Sequence, residues 1–269
     1  MSNRCSYQSS LPLFLDPSQS SYAPSDLASA LATMNAALPL ITDQHAISCL
    51  SLGPFGAALA PGQEYGGLYP PPFGPHTDSP SMPGYPVVAG DAVPLPQVPV
   101  TDDLHEDSLT AWHLQRLTHL AQSDAFDNLG MIAFETVPVL REVSAIRRAL
   151  ALFWAGRPGR QTKPAYVSLV FPQNKGSDGV RFPDVEHDEK SLADQAGALV
   201  EALFGDKGKA EAAIGGVGVN CTSPVLLGGV VAELSRAVSS PIKAADGKEK
   251  PWLVLCKPAT RSSLMCARI

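Results

Sequence analysis

Leu129-Gly130-Met131-Ile132-Ala133-Phe134-Glu135-Thr136-Val137-Pro138-Val139-Leu140, running on to Leu150, is the stretch that decides the fold. Leu129 to Phe134 is an apolar run of strand length. Pro138 then stands at or near the first position of a helix whose apolar stripe is Val139, Leu140, Val143, Ile146 and Leu150. A buried strand running directly into an amphipathic helix is half of a βαβ unit.

The same alternation extends both ways. Downstream, Ala165 to Phe171 reads as a strand, Pro172 to Glu189 as a polar loop and Ser191 to Phe204 as a helix. Ile214 to Val219 is the next strand, Pro224 to Val238 a helix, and Trp252 to Leu255 a strand. Upstream, Asp107-Ser108 opens an amphipathic segment to about Gln122, with Leu109, Trp112, Leu117 and Leu120 near helical spacing. Ala46 to Leu52 is a short buried strand ending at Gly53-Pro54. Ser25-Asp26 caps a helix from Leu27 to Leu38, and Cys5-Ser6-Tyr7-Gln8 is extended. Apolar strands alternating with amphipathic helices predict an α/β fold with a parallel sheet. No internal repeat of roughly 20 to 50 residues is present.

Composition narrows the function. The chain has 269 residues, 45% hydrophobic, with a formal net charge of −6. That suits one large domain or two small ones and excludes disorder throughout. Phosphate contacts need clustered Lys and Arg, and the basic groups here (Arg147-Arg148, Lys207 to Lys209) are short and interrupted, so nucleic acid is not an expected partner. No apolar run approaches the ~18 residues of a membrane span, and Leu11 to Leu15 is shorter than the ~7 residues of a secretory core. Five cysteines at wide spacing (Cys5, Cys49, Cys221, Cys256, Cys266) fit reduced thiols. The expected compartment is the cytoplasm.

Glycine and proline are unevenly spread. Of 22 Gly and 25 Pro, 8 Gly and 12 Pro fall between Ser51 and Val100, which excludes regular helix or central strand there. Gly53 to Tyr69 is rich in Gly and aromatic residues and is expected to be the ordered part; Pro70 to Asp103 reads as a Pro-rich insertion.

Several apparent motifs fail on context. Gly216-x-Gly218-x-x-Cys221 puts Cys where a dinucleotide loop needs Gly or Ala, and its glycines lie within the strand. Asn220-Cys221-Thr222 matches a glycosylation acceptor but ends an apolar strand. His113 and His119, the two closest in spacing to a ligand pair, face different sides of a helix, so the histidines read as structural or solvated.

Two strand ends carry polar groups that a scaffold would not need: Phe134-Glu135-Thr136 and Val219-Asn220-Cys221-Thr222-Ser223-Pro224. Sites in parallel α/β folds are built at the C-terminal ends of strands. A carboxylate there can hold an amino group, and a thiol can hold a metal. The alternatives are that Glu135 caps the following helix and that Cys221 is a small buried apolar residue.

Ile132 to Pro138 together with Gly216 to Pro224 resembles the homocysteine S-methyltransferase family. Ser51-Leu52-Gly53-Pro54-Phe55-Gly56-Ala57, with Gln63-Glu64-Tyr65-Gly66-Gly67-Leu68-Tyr69 after it, is similar to the family's Ser-x-Gly-Pro-Tyr-Gly-Ala strand end and following loop; Ser6-Tyr7-Gln8-Ser9-Ser10 is similar to its Thr-Tyr-Gln-Ala-Ser. The resemblance runs from about Tyr7 to Leu255. It implies a single (β/α)8 TIM-barrel domain over residues 1–255, interrupted by the insertion at about 70–103 and followed by an unmatched tail over 256–269. It further implies methyl transfer from a sulfonium donor, S-methylmethionine or S-adenosylmethionine, to the zinc-bound thiolate of homocysteine. On this carry-over Cys221 is a zinc ligand, Glu135 binds the substrate ammonium group, Asn220 shapes the strand end beside the metal, and Gly53 and Gly56 let backbone approach the ligand.

The chain also departs from the family pattern. It has no Gly-Gly-Cys-Cys motif to supply two further zinc ligands, and Cys256 and Cys266 are not adjacent. The family's first strand, most of its second and its eighth have no counterpart, so an incomplete barrel is expected. The second reading is accordingly a non-catalytic or truncated barrel fragment without the complete zinc site.

Overall fold

A computed structural model describes residues 4–7, 32, 36, 38–40, 47–59, 62–77, 97–171, 192–205, 214–239, 252–255 and 265–268. The expected Leu27 to Leu38 helix, the Pro172 to Glu189 loop, the middle of the insertion and Cys256 lie largely or wholly outside the described residues.

One seven-stranded sheet organises the chain, its strands adjacent in chain order: β1 (Arg4–Tyr7), β2 (Ser48–Leu52), β3 (Met131–Val137), β4 (Ala165–Leu169), β5 (Gly216–Val219), β6 (Trp252–Leu255) and β7 (Met265–Arg268). The first six are parallel and β7 is antiparallel to β6, pairing Leu255 with Met265. Helices connect the strands: α1 (Leu104–Leu120) and the short α2 (Asp124–Asp127) before β3, then α3 (Leu140–Ala155), α4 (Leu192–Phe204) and α5 (Pro224–Ser239) after β3, β4 and β5. Among the described residues β1 and β7 are not paired with each other.

The two faces of the sheet differ in chemistry because side chains alternate along each strand. Leu50, Leu52, Ile132, Phe134, Val167, Leu169, Val217 and Val219 share one buried core with Val143, Ile146 and Leu150 of α3 and with Leu199, Leu203, Val230 and Leu234 of α4 and α5. The other face carries Cys49, Ala133 and Tyr166, with buried Ser51 and Ser168 on the same side by alternation. Burial on both faces is why these strands read as near-continuous apolar runs.

Element ends shift from the expected positions for identifiable reasons. α1 begins at Leu104, not Asp107, because the Asp103 carboxylate accepts from the amides of His105 and Glu106, both at 3.0 Å, and caps the helix. Asp107 instead accepts from the Thr101 amide at 2.8 Å and from Arg148 at 2.8 Å. β3 runs to Val137, past Phe134, and α3 starts at Leu140, after Pro138. β7 is a strand within the segment expected to be an unmatched tail. Order in the Pro-rich segment reaches beyond Tyr69 to the 70–77 stretch: Phe73 is buried, the Phe73 and Gly74 amides donate to the Pro70 carbonyl, and a Cβ on Gly74 would lie 2.5 Å from the Tyr69 carbonyl oxygen.

The loop after β2 is anchored by a buried polar network. Glu142 of α3, fully buried, accepts from the Phe55 amide at 2.6 Å, the Tyr69 hydroxyl at 2.5 Å and His113 Nε2 at 3.0 Å. Arg116, also buried, donates to the Gly53 carbonyl at 2.8 Å and to His113 Nδ1 at 3.0 Å, and its guanidinium lies 4.3 Å from the centre of the Trp112 ring. Since Arg only donates, His113 Nδ1 must be the acceptor and Nε2 carries the proton. Phe55, Tyr69, Phe73 and Trp112 close an apolar cluster around this network. His113 is therefore structural, as one of the two expected roles had it.

Burial brings the His113 pKa down from 6.5 to about 4, the neighbouring Arg116 charge adding to that, while Glu142 opposes it. The unfolded chain takes up a proton near pH 6.5 that folded His113 refuses until about pH 4, so stability falls as pH drops through that window. The expected contribution is about 3 kcal/mol. Urea unfolding of the wild type and His113→Gln at pH 7 and pH 4.5 checks this: the variant should show a shallower loss of stability on acidification, and equal slopes would refute it.

Candidate functional site

The C-terminal ends of β3, β4 and β5 are tied together by side chains. Asn220, buried just past β5, accepts from the Thr136 amide through Oδ1 at 2.9 Å and donates from Nδ2 to the Thr136 hydroxyl at 2.8 Å. These bonds reach across β4, which separates β3 from β5. The Thr222 hydroxyl fixes the same junction, accepting from the Phe171 amide at 2.9 Å and donating to the Asn220 carbonyl at 3.0 Å.

The backbone is strained at this junction. Thr136 has φ 64° and Cys221 φ 49°, the two non-glycine residues with positive φ among those described. For a β-branched residue that conformation is an outlier, costing on the order of 1–3 kcal/mol unless its surroundings enforce it. The register between β3 and β4 shifts between Phe134 and Val137, so Glu135 and Thr136 together stand opposite Ser168. Such a bulge re-aims side chains, and here it accounts for β3 continuing past Phe134.

Cys221 is exposed, and two donors converge on its sulfur: the Thr136 hydroxyl at 3.6 Å and Asn220 Nδ2 at 3.7 Å. It is not the small buried apolar residue of the alternative reading. Glu135 does not cap α3 either; the cap position is Val139, and Glu135 accepts from the Tyr166 hydroxyl at 3.2 Å. Burial pushes the Glu135 carboxyl above its usual range, while the hydroxyls of Ser51 and Tyr166 pull it back. Ser51 faces this carboxylate without completing a hydrogen bond of ordinary geometry, and Ser168 Oγ is likewise buried and unbonded.

The two glycines occupy the neighbouring strand end. Gly53 offers its carbonyl to Arg116, and a Cβ on Gly56 would lie 2.7 Å from the Gln63 carbonyl carbon and 2.8 Å from the Tyr69 ring. What the structure shows packed close to Gly56 is the chain's own loop.

The structure thus brings Thr136, Asn220 and Cys221 into contact, with Glu135 adjacent in β3. Sequence reasoning missed Tyr166, whose hydroxyl becomes informative only once β4 lies beside β3. It also missed the Glu142 network, although His113 and Arg116 three residues apart, next to Trp112, are a legible buried helix face.

The homocysteine S-methyltransferase family model matches residues 5–263 of the chain. The chain belongs to this family. Among solved structures, the homocysteine methyltransferase MmuM of Escherichia coli in its metallated form is similar at 18% identity and a TM-score of 0.50, over 95% of this chain and 67% of that one. Its oxidized form is similar at 17% identity and a TM-score of 0.44, over 96% of this chain and 75% of that one. No curated protein gave a match. The family match extends past Leu255 into the segment read from sequence as a tail.

Metal ligation by this homocysteine S-methyltransferase family member is a separate matter. Among the described residues no group of three or more His, Cys, Asp or Glu side chains could hold a metal ion. Cys221 alone does not fit a tetrahedral zinc site, which needs at least three protein ligands.

The Asn220 clamp predicts a stability effect. Asn220→Ala leaves the Thr136 amide and hydroxyl buried without their partners and should cost about 2–4 kcal/mol. Asn220→Asp keeps the acceptor for the amide and should cost less. Urea unfolding midpoints compare the two; equal losses would refute a role for the Thr136 amide bond.

Proposed function

We propose that this chain transfers a methyl group from a sulfonium donor, S-methylmethionine or S-adenosylmethionine, to the thiol of homocysteine, giving methionine. The setting is an incomplete barrel of the (β/α)8 type, working in the cytoplasm, where thiols stay reduced. The observation that carries the reading is the meeting of Glu135, Thr136, Asn220 and Cys221 at the C-terminal edge of a parallel sheet, within a chain that belongs to the homocysteine S-methyltransferase family.

In the reaction the homocysteine sulfur gives up its proton to solvent and attacks the donor's methyl carbon. A new C–S bond forms as the methyl–sulfonium bond breaks, and the donor leaves as a neutral thioether. Glu135 serves by taking the substrate ammonium group: a carboxylate already stripped of much of its water gains most from a cation placed against it. Asn220 and Thr136 fix the strand end beside the reacting sulfur, and Gly53 and Gly56 keep the neighbouring loop close.

The resemblance makes zinc the cofactor and Cys221 one ligand to it. Among the described residues no complete site for it is present. The second reading is a non-catalytic or truncated barrel fragment that lacks the complete zinc site.

An assay of methionine formation from homocysteine with each sulfonium donor, with zinc supplied and bound zinc measured, separates the two. Turnover is expected, with Glu135→Gln raising the homocysteine KM about 10- to 100-fold, the worth of a hydrogen bond to a charged group, and leaving the donor KM nearly unchanged. Homocysteine binding without turnover selects the second reading, and absence of both refutes the proposal.

A further inference from the structure

Glu135 lies between two hydroxyl-bearing strands. Tyr166 of β4 donates to its Oε1 at 3.2 Å, and Ser51 of β2, in register with Ala133, stands on the same face of the sheet two residues short of Glu135, its hydroxyl buried without a hydrogen bond of ordinary geometry. Both residues are nearly inaccessible, at 3% and 0% exposure, whereas Glu135 itself is only partly buried. A buried hydroxyl without a completed hydrogen bond is costly, and its position against an anion is what offsets that cost. The bulge at Glu135 and Thr136 fixes how the carboxylate leaves β3 between these neighbours.

The charges around Glu135 make the arrangement informative. β2, β4 and β5 contain no Asp, Glu, His, Lys or Arg. The titratable groups on or just beyond those strands are Cys49, Tyr166 and Cys221. On β1, Tyr7 is in register with Ser51, and Arg4 with Ser48 at the far end of the strand; Arg268 of β7 is in register with Trp252, the first residue of β6. The described strands beside Glu135 thus offer it neutral donors and no cation. A carboxylate held by hydroxyls alone in a poorly hydrated place is set up for a cation that arrives with the ligand.

We propose that Tyr166 and Ser51 are positioning residues that hold the Glu135 carboxylate in the orientation that receives the ammonium group of an amino-acid substrate. This rests on the reading of Glu135 as the homocysteine ammonium site. The hydroxyls select for ligands with a free amino group, and they also oppose the upward push of burial on the Glu135 carboxyl. Removing either therefore moves the acid limb of homocysteine binding to higher pH.

Calorimetric titration of the full chain with homocysteine and with 4-mercaptobutyrate, which has the thiol and carboxylate but no amino group, tests this. Tyr166→Phe and Ser51→Ala should each raise the homocysteine Kd about tenfold, move its acid limb upward in pH, and change the 4-mercaptobutyrate Kd less than about twofold. Ser51→Thr, which keeps the hydroxyl, should restore homocysteine affinity; thermal melting confirms that each variant is folded, and Tyr166→Phe carries the test if the Ser51 variants are not. Equal losses for both ligands, or no loss for either, overturn the proposal. Glu135→Gln distinguishes the underlying reading: if it fails to discriminate homocysteine from 4-mercaptobutyrate, Glu135 is not the ammonium site. If it discriminates while Tyr166→Phe and Ser51→Ala do not, only the positioning role is lost.

Discussion

Asn220 spans the end of β4 to hold both the amide and the hydroxyl of Thr136, and the geometry at the top of the sheet depends on that pair of hydrogen bonds. It offsets the cost of a threonine at φ 64°, a conformation its branched Cβ disfavours. With it, the bulge that aims Glu135 and the turn that presents Cys221 are parts of one unit. The strain sits at Thr136 and Cys221, which touch although 85 positions apart, and the hydrogen bonds that offset it at Thr136 come from the residue just past β5, two strands away. Neither strand end can relax without breaking contacts to the other.

A second polar network does for the β2 loop what Asn220 does for β3 and β5. Glu142 binds the Phe55 amide and Arg116 binds the Gly53 carbonyl, with a neutral His113 between the two charges. Buried ions are expensive unless their lone pairs and protons are met, and here aromatic rings exclude water while backbone groups of the loop meet part of that demand. The loop that bears Gly53 and Gly56 is thereby tied to α1 and α3. Its position follows from the packing of the helices outside the sheet.

Much of the architecture is legible in the chain. The run from Met131 into the α3 stripe, and the later strands at Ala165, Gly216 and Trp252, emerge from apolar runs alternating with helical periodicity, because a strand buried on both faces and a helix buried on one leave different patterns. Glu135 and Cys221 are legible as polar residues terminating apolar runs. The bulge was not, since no pattern in Phe134-Glu135-Thr136-Val137 marks a residue with positive φ; the threonine there argues against one. β7 was missed because four residues carry too little periodicity to announce a strand. The early start of α1 was missed because two acids, Asp103 and Asp107, compete for the cap, and only the position of Thr101 and Arg148 decides between them.

The parallel α/β sheet, the helices that cover it and the two strand ends where chemistry gathers can be read from the chain alone, because these depend on local periodicity and on which residues avoid water. That Tyr166 and Ser51 flank Glu135, that Asn220 reaches Thr136 rather than solvent, and that His113 is a neutral link in a buried chain of hydrogen bonds emerges only on folding. Each of those depends on strand register and on contacts between residues far apart in the chain, including 84 positions for Asn220 and Thr136. Local sequence carries no record of such distances; packing sets them.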